Sequence, residues 1–445
     1  MSDWRAFSGV ILTVLKKSFN NLGSWNGSKL RDRKIFNRLL LLINSVRATP
    51  NHLLLLINSV WAIPLVMLMR MVRPIIHVQI CALNAIRIGH FVPDVAEHLL
   101  INKSNSAKVL NLYFFLTPIS NYQWSDMTRR STLHVFRGWL RYVYIWNRLI
   151  PRGISHEMPS SFSDSRDLRG LINEFDCSLP FTDEEVYECK SWLKSKGWEE
   201  GQPFVVLNVR DSKYMKNWIP NFDFDYHSYR DSDIESYLPS VEWLSNQGVW
   251  VIRMGRNMQH PIQTSSVLFI DYAFDDKKSD LLDIWLFANC SGCITTASGP
   301  DWISNVYRRP LLCVNASPLG ILFSMFNSIW VPKNLQWEDS GESLNLGEYL
   351  DHTFLRTDEY TEAGIRIVDL TPEEILAAVK EFWQRIKGLW VETENDKRVQ
   401  DRFWNHFSNW PLYSSYHGWK HPSSLIGSAW LANKGSEFMT TKWVK

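Results

Sequence analysis

The feature that most limits how this chain can fold is an alternation in its second half. Short, continuously apolar runs are separated by amphipathic stretches of helical length. Phe204–Arg210 (FVVLNVR), Val249–Gly255 (VWVIRMG), Val267–Phe274 (VLFIDYAF), Gly292–Thr296, Arg309–Asn315 (RPLLCVN) and Ser328–Val331 (SIWV) read as strands. Their apolar residues run on without regular polar alternation, the pattern of strands buried on both faces. Between them, Asp233–Gln247 carries Ile234, Tyr237, Leu238, Val241 and Leu244 at helical spacing, and Gly248 stops it. Ser279 caps a helix over Ser279–Ala288, and Thr371 with Pro372 opens another over Pro372–Ile386. Strand and helix in turn give a parallel sheet with both faces covered.

The first half repeats the theme more loosely. Ile75–Ile86 reads as a strand leading into Arg87-Ile88-Gly89-His90, Val95–Leu100 begins a helix, and Lys108–Leu116 is a second strand. Ser155–Asp167 reads as a loop, and Thr182 with Glu185 three residues on makes a capping box. At 445 residues, against a prior of ~150 per domain, the chain calls for two α/β domains. We place them at 72–200 and 201–390, after an N-terminal arm (1–71) and before a tail (391–445) that is expected to return to the first domain. Hydrophobic residues make up 45% and charged residues 21%, a folded profile, and a net charge of +2 gives no field that would select nucleic acid.

The arm is different in kind. Lys16, Lys17, Lys29, Arg31, Arg33, Lys34, Arg38 and Arg47 face only Asp3 and Asp32, which suits either an anionic membrane surface or a solvated leader. Leu53–Met69 is apolar but broken by Asn58 and Pro64, and reads as an interfacial or partly buried helix rather than a span. No secretory signal pattern opens the chain. LLLLINSV occurs at 39–46 and again at 53–60, a tandem duplication rather than a solenoid. The six cysteines form no disulfide framework and fit a reducing cytoplasm; the arm leaves open whether the chain is also peripheral at the inner face of the membrane. Cys290 and Cys293 lack a second pair for zinc and read as packed thiols.

Ligands of parallel α/β sheets bind beyond the carboxyl ends of the strands. Three loops there carry chemistry: Arg210-Asp211-Ser212 with Tyr214, Arg253-Met254-Gly255-Arg256, and Thr295-Thr296-Ala297-Ser298-Gly299-Pro300-Asp301. A hydroxyl- and glycine-rich turn suits a diphosphate, and Arg210, Arg230 and Arg253 supply the opposing charge. It suits an ordinary structural strand–helix turn equally well. No dinucleotide or P-loop fingerprint is present. The isolated pairs Asp275-Asp276 and Asp223/Asp225 read as solvated turns, so no metal is expected.

The segments VRDSKY, YRDSDIESYLPSVEWLSNQGVWVIRMGR, DKKSDLLDIWLFANC, SGPDWISNVYRRP and LRTDEYTEAGIRIVDLTPEEI, between Asn208 and Asp369, resemble a family of bacterial glycosyltransferases, with Arg87–His90 part of the same pattern. More distantly, Asn208-Val209-Arg210 is similar to the His-x-Arg segment of fucosyltransferases, and the Ser298-Gly299-Pro300 turn to the donor-diphosphate turn of heptosyltransferases. The resemblance implies two Rossmann-like domains of the GT-B type and a nucleotide-sugar donor, with no bound metal. It also implies a glycan, lipid-linked or protein hydroxyl as acceptor. Arg210 would contact the diphosphate, Ser298 and Gly299 would complete its cradle, and Asp283 and Asp301 would orient arginines or bind ribose. Asp211 would stand behind them. The base would lie across the cleft, His90 first and Asp94 second. Asn208 departs from the pattern, since its amide cannot act as a base. That departure keeps open a non-catalytic sugar-nucleotide binder or membrane scaffold, alongside a sugar-nucleotide epimerase.

Overall fold

The structure is a computed structural model that describes residues 52–104, 108–158, 170, 176–211, 225–322, 325–416 and 418–443. The basic arm, the first copy of the LLLLINSV repeat, most of the 155–167 loop and Tyr214 lie outside the described residues. The chain divides into two compact units, 1–65 and 66–445. In the first, residues from 52 onward begin helix α1 (His52–Met71), which contains Pro64. Leu54–Met71 is long and apolar enough to cross a membrane, with mean hydropathy 1.8 over 18 residues.

The second unit holds two parallel sheets. The first is built from β1 (His77–Leu83), helix α2 (Ile88–Ser104), β2 (Val109–Phe115), α3 (Tyr122–Arg130), β3 (His134–Val135) and α4 (Leu140–Leu149), in the strand order β1-β2-β3. α2 starts at Ile88, about two turns earlier than the Val95 start its apolar pattern announces, so His90 stands in its first turn. Helix α5 (Asp183–Ser195) has the expected capping box, with reciprocal bonds of 2.9 and 3.3 Å between Thr182 and Glu185.

The second sheet follows the alternation closely: β4 (Phe204–Asn208), α6 (Leu238–Asn246), β5 (Trp250–Arg253), β6 (Phe269–Ile270), α7 (Asp280–Asn289), β7 (Gly292–Thr295), α8 (Asp301–Val306), β8 (Leu311–Ala316) and β9 (Ser328–Pro332). A hairpin the periodicity did not announce, β10 (Asn334–Trp337) with β11 (Ile365–Val368), encloses α9 (Leu346–Asp351) and α10 (Thr357–Glu362). Then come α11 (Pro372–Ile386), α12 (Glu394–Ser408), α13 (Tyr413–Tyr416), β12 (Leu425–Ile426) and α14 (Ser428–Lys434). The tail expected on the first domain instead extends the second sheet, where β12 pairs in parallel with β9. Its Gln400 side chain holds the Ile426 backbone, and Glu381 of α11 accepts from Ser428 at the start of α14. Trp419 does reach back, lying over Gly170. Cys290 and Cys293 are buried free thiols, as their apolar surroundings implied.

The order of the seven-stranded sheet is β12-β9-β8-β7-β4-β5-β6. From β4 the chain runs outward through β5 and β6, then returns to the other side of β4 with β7. The direction reverses between β4 and β7, and the crevice outside their carboxyl ends is where such sheets bind ligands.

Candidate functional site

A cavity of about 370 Å³ opens at that reversal point. Asn208–Asp211 after β4 and Ala297–Ile303 after β7 form one wall, with Gly255, Arg256 and Asp283 beside them. Arg87–His90 and Ser120–Asn121, which follow β1 and β2, form the other. Loops at the carboxyl ends of both sheets therefore face the same space.

The β4 and β7 loops are fastened to each other. Asn208 Nδ2 donates to Ser298 Oγ at 2.6 Å, and the Arg210 N–H to Thr296 Oγ1 at 3.0 Å. Ala297 holds φ 55°, a left-handed conformation that costs a non-glycine residue on the order of 1 kcal/mol. Arg230 Nη2 grips its carbonyl at 2.6 Å and so holds the turn in that shape. Arg210 is set by Asp231, whose Oδ1 accepts from Nε at 3.0 Å. The buried Lys333 in turn donates to the Asp231 carbonyl at 2.5 Å and pairs with Asp369 at 2.6 Å. Fixed guanidinium groups of this kind need no reorganisation to meet an anion.

The two walls touch through backbone. A Cβ on Gly89 would lie 2.6 Å from Gly299 Cα, so neither loop has room for a side chain there. Arg256 joins the same walls through polar contacts. Its Nε donates to Asp283 at 2.7 Å, Nη2 to Asp280, and Nη1 to the Ser120 carbonyl at 2.9 Å. Asn121 Nδ2 donates to the Asp280 carbonyl at 3.0 Å, and Tyr272 holds the second oxygen of Asp283 at 2.9 Å.

Two expected residues stand elsewhere. Arg253 is the last residue of β5, a strand buried on both faces, and is 1% exposed. It donates to the His260 carbonyl at 2.8 Å and to Asp271 at 3.2 Å, stapling the loop after β5 rather than lining the cavity. The residue that reaches the cavity from this loop is Arg256, three positions on, where the chain has left the sheet. Asp94 is likewise buried one turn into α2. It accepts from the Asn84 N–H at 2.9 Å and caps the turn after β1, and burial holds its pKa well above the usual carboxylate range. His90, Asn208, Arg210, Asp211, Arg230, Gly255, Asp283, Ser298, Gly299, Pro300 and Asp301 do line the cavity, with Thr296 directly behind.

The sequence also passed over His227, which lines the cavity from the 3₁₀ turn at Asp225–Arg230. Burial and then the charges of Arg210, Arg230, Arg87 and Arg356 lower its pKa to about 3, so it stays a neutral imidazole at physiological pH. Its only sequence signal was its place among the arginines.

Asp301 behaves in the opposite sense. Burial pushes its pKa up to about 7, against the Thr295 hydroxyl and the Arg230 charge. Its folded value lies above the ordinary 3.8, so the folded state binds the extra proton and stability falls as pH rises between about 4 and 7. Asp301→Asn is expected to flatten that slope, read as melting temperature across this pH range. Asp94 acts with the same sign, so part of the slope remains. An unchanged slope would mean that Asp301 is ionised throughout. Among the described residues, no three His, Cys, Asp or Glu side chains gather as metal ligands.

No family model matches the chain, and no curated protein does. Among solved structures it is similar to a family 9 glycosyl transferase from Veillonella parvula, at 10% identity over 58% of this chain and 82% of that one, with TM-score 0.32. It is similar to the ADP-heptose lps heptosyltransferase II of E. coli, at 12% identity over 69% of this chain and 99% of that one, with TM-score 0.37. A third is the E. coli heptosyltransferase WaaC with ADP-2-deoxy-2-fluoro heptose, at 8% identity over 57% and 89%, with TM-score 0.28. Likeness at this level assigns no residue and no substrate to the chain.

Proposed function

We propose that the chain is a GT-B-type glycosyltransferase, which moves a sugar from a nucleotide-sugar donor to a hydroxyl acceptor and meets phosphate charge with arginines instead of a metal ion. The observation that carries this reading is the convergence of Arg210, Arg230 and the Ala297–Gly299 turn at the reversal point of one parallel sheet, opposite the strand-end loops of another. In this reading Arg210 and Arg230 hold the donor diphosphate and Ser298 and the Gly299 backbone cradle it. Arg256, held by Asp283, keeps the two walls in register. The acceptor oxygen attacks the anomeric carbon as the bond from that carbon to the diphosphate oxygen breaks. The acceptor proton passes to His90, and the nucleoside diphosphate leaves with its added charge held by Arg210. A donor group placed for such charge contributes ~3–4 kcal/mol to the transition state.

Asn208 supports a second reading. Its amide is spent on Ser298 at 2.6 Å and supplies no base, which suits a protein that binds the donor without transferring it. Incubating the full chain with nucleotide sugars and a cell-extract acceptor fraction separates the two. Release of nucleoside diphosphate that needs acceptor and drops at least about tenfold in His90→Ala supports transfer. Donor binding with no release supports the second reading.

A further inference from the structure

We infer that the face of the second unit formed by the end of α1 and the turn after α4 docks on an anionic lipid bilayer surface. Two ties bring these segments together. Arg70 donates to the carbonyls of Asn147, Ile150 and Pro151 at 3.1, 3.1 and 2.7 Å. His77 Nε2 lies 2.8 Å from the Ser155 carbonyl. Large apolar side chains flank both ties and face water: Met71 is 71% exposed, Ile75 78%, Leu149 53% and Ile154 67%. Scattered single apolar residues on a surface are ordinary, but a group on adjoining segments marks a contact face.

Charge selects the occupant. Arg73 and Arg152 are exposed in the same segments. From Val66 to Pro93 the chain has no acidic residue, and of the acidic residues next to the turn after α4, Glu157 is taken up by Arg148 at 3.1 Å, which leaves Arg73 and Arg152 to set the charge of the face. Apolar side chains in a basic surround fit an interface of acyl chains beneath anionic headgroups. A second copy of this chain would bring arginines against arginines. The inference stands on its own, whatever reaction the cavity performs.

The test uses the full chain sedimented with vesicles of phosphatidylcholine alone or mixed with phosphatidylglycerol. Two variants on exposed side chains accompany it, Ile75→Asp/Ile154→Asp and Arg73→Glu/Arg152→Glu, with unchanged melting temperature as the folding check. The wild type is expected to sediment with the mixed vesicles only, and each variant to partition at least about tenfold less. Wild-type protein left in the supernatant, or binding that neither variant weakens, overturns the inference. So does self-association by light scattering that the apolar variant abolishes while vesicles bind nothing, which assigns the face to a second copy.

Discussion

Arg210→Ala is expected to lower kcat/KM for nucleotide-sugar turnover by roughly 10²–10³-fold, the loss that follows removal of one preorganised donor at a developing negative charge. The expectation rests on how the side chain is held. Its backbone is tied to Thr296, its guanidinium to Asp231, and Lys333 fixes the Asp231 carbonyl. Alanine removes the charge and also leaves the Asp231 carboxylate, 23% exposed, without its guanidinium partner, which costs about 1–3 kcal/mol of stability. Arg210→Lys separates the two effects, since it keeps the charge but not the planar fork. It should recover most of the stability and only part of the rate. Initial rates and melting curves on the three proteins read both quantities. A loss below about threefold in Arg210→Ala would remove Arg210 from the donor site.

The second large effect is steric. Gly89→Ala is expected to lower kcat/KM by ~10–100-fold, because a displacement near 1 Å at a reacting geometry has that consequence. The added Cβ would stand 2.6 Å from Gly299 Cα, a backbone atom, so no side-chain rotation relieves the clash. The reciprocal Gly299→Ala meets Gly89 N at 2.9 Å and Cα at 3.0 Å and should do less harm. Gly138→Ala meets nothing within 4 Å and should be silent. Overpacking of this kind costs about 1–3 kcal/mol, so all three variants should fold. An order other than Gly89 above Gly299 above Gly138 would mean that the two loops do not need to touch for activity.

The second sheet was legible because its information is local. Runs such as Phe204–Arg210 and Arg309–Asn315 are apolar without interruption, and Thr371 and Ser279 mark helix starts through bonds within three residues. Thr182 with Glu185 is legible for the same reason. What was not legible depends on assembly. Arg253 and Arg256 are alike as letters, and only the end of β5 decides that one is buried at Asp271 while the other reaches the cavity. Asp94 and His90 lie one helical turn apart, yet the position of the β1 turn buries the first and leaves the second on the cavity wall. The tail read as a return to the first domain because its tryptophans announce packing without naming a partner. Its pairing with β9 rests on Leu425 and Ile426, two residues too few to signal a strand. His227 acquires its neutral state first from burial and then from the charges of Arg210, Arg87 and Arg356, brought in by other segments, beside Arg230 of its own turn, so only that last neighbour is written in the local sequence.

The central claim is that the cavity between β4 and β7 binds the diphosphate of a nucleotide sugar. The measurement that tests it most directly is calorimetric titration of the full chain with GDP, UDP, ADP, CMP and dTDP, alongside Arg210→Ala. The account predicts that one nucleoside diphosphate binds the wild type, that at ~100 times its Kd it raises stability by ~2.7 kcal/mol, and that the variant loses both effects. Folded wild-type protein that binds none of the five would contradict the donor site and, with it, the transferase reading.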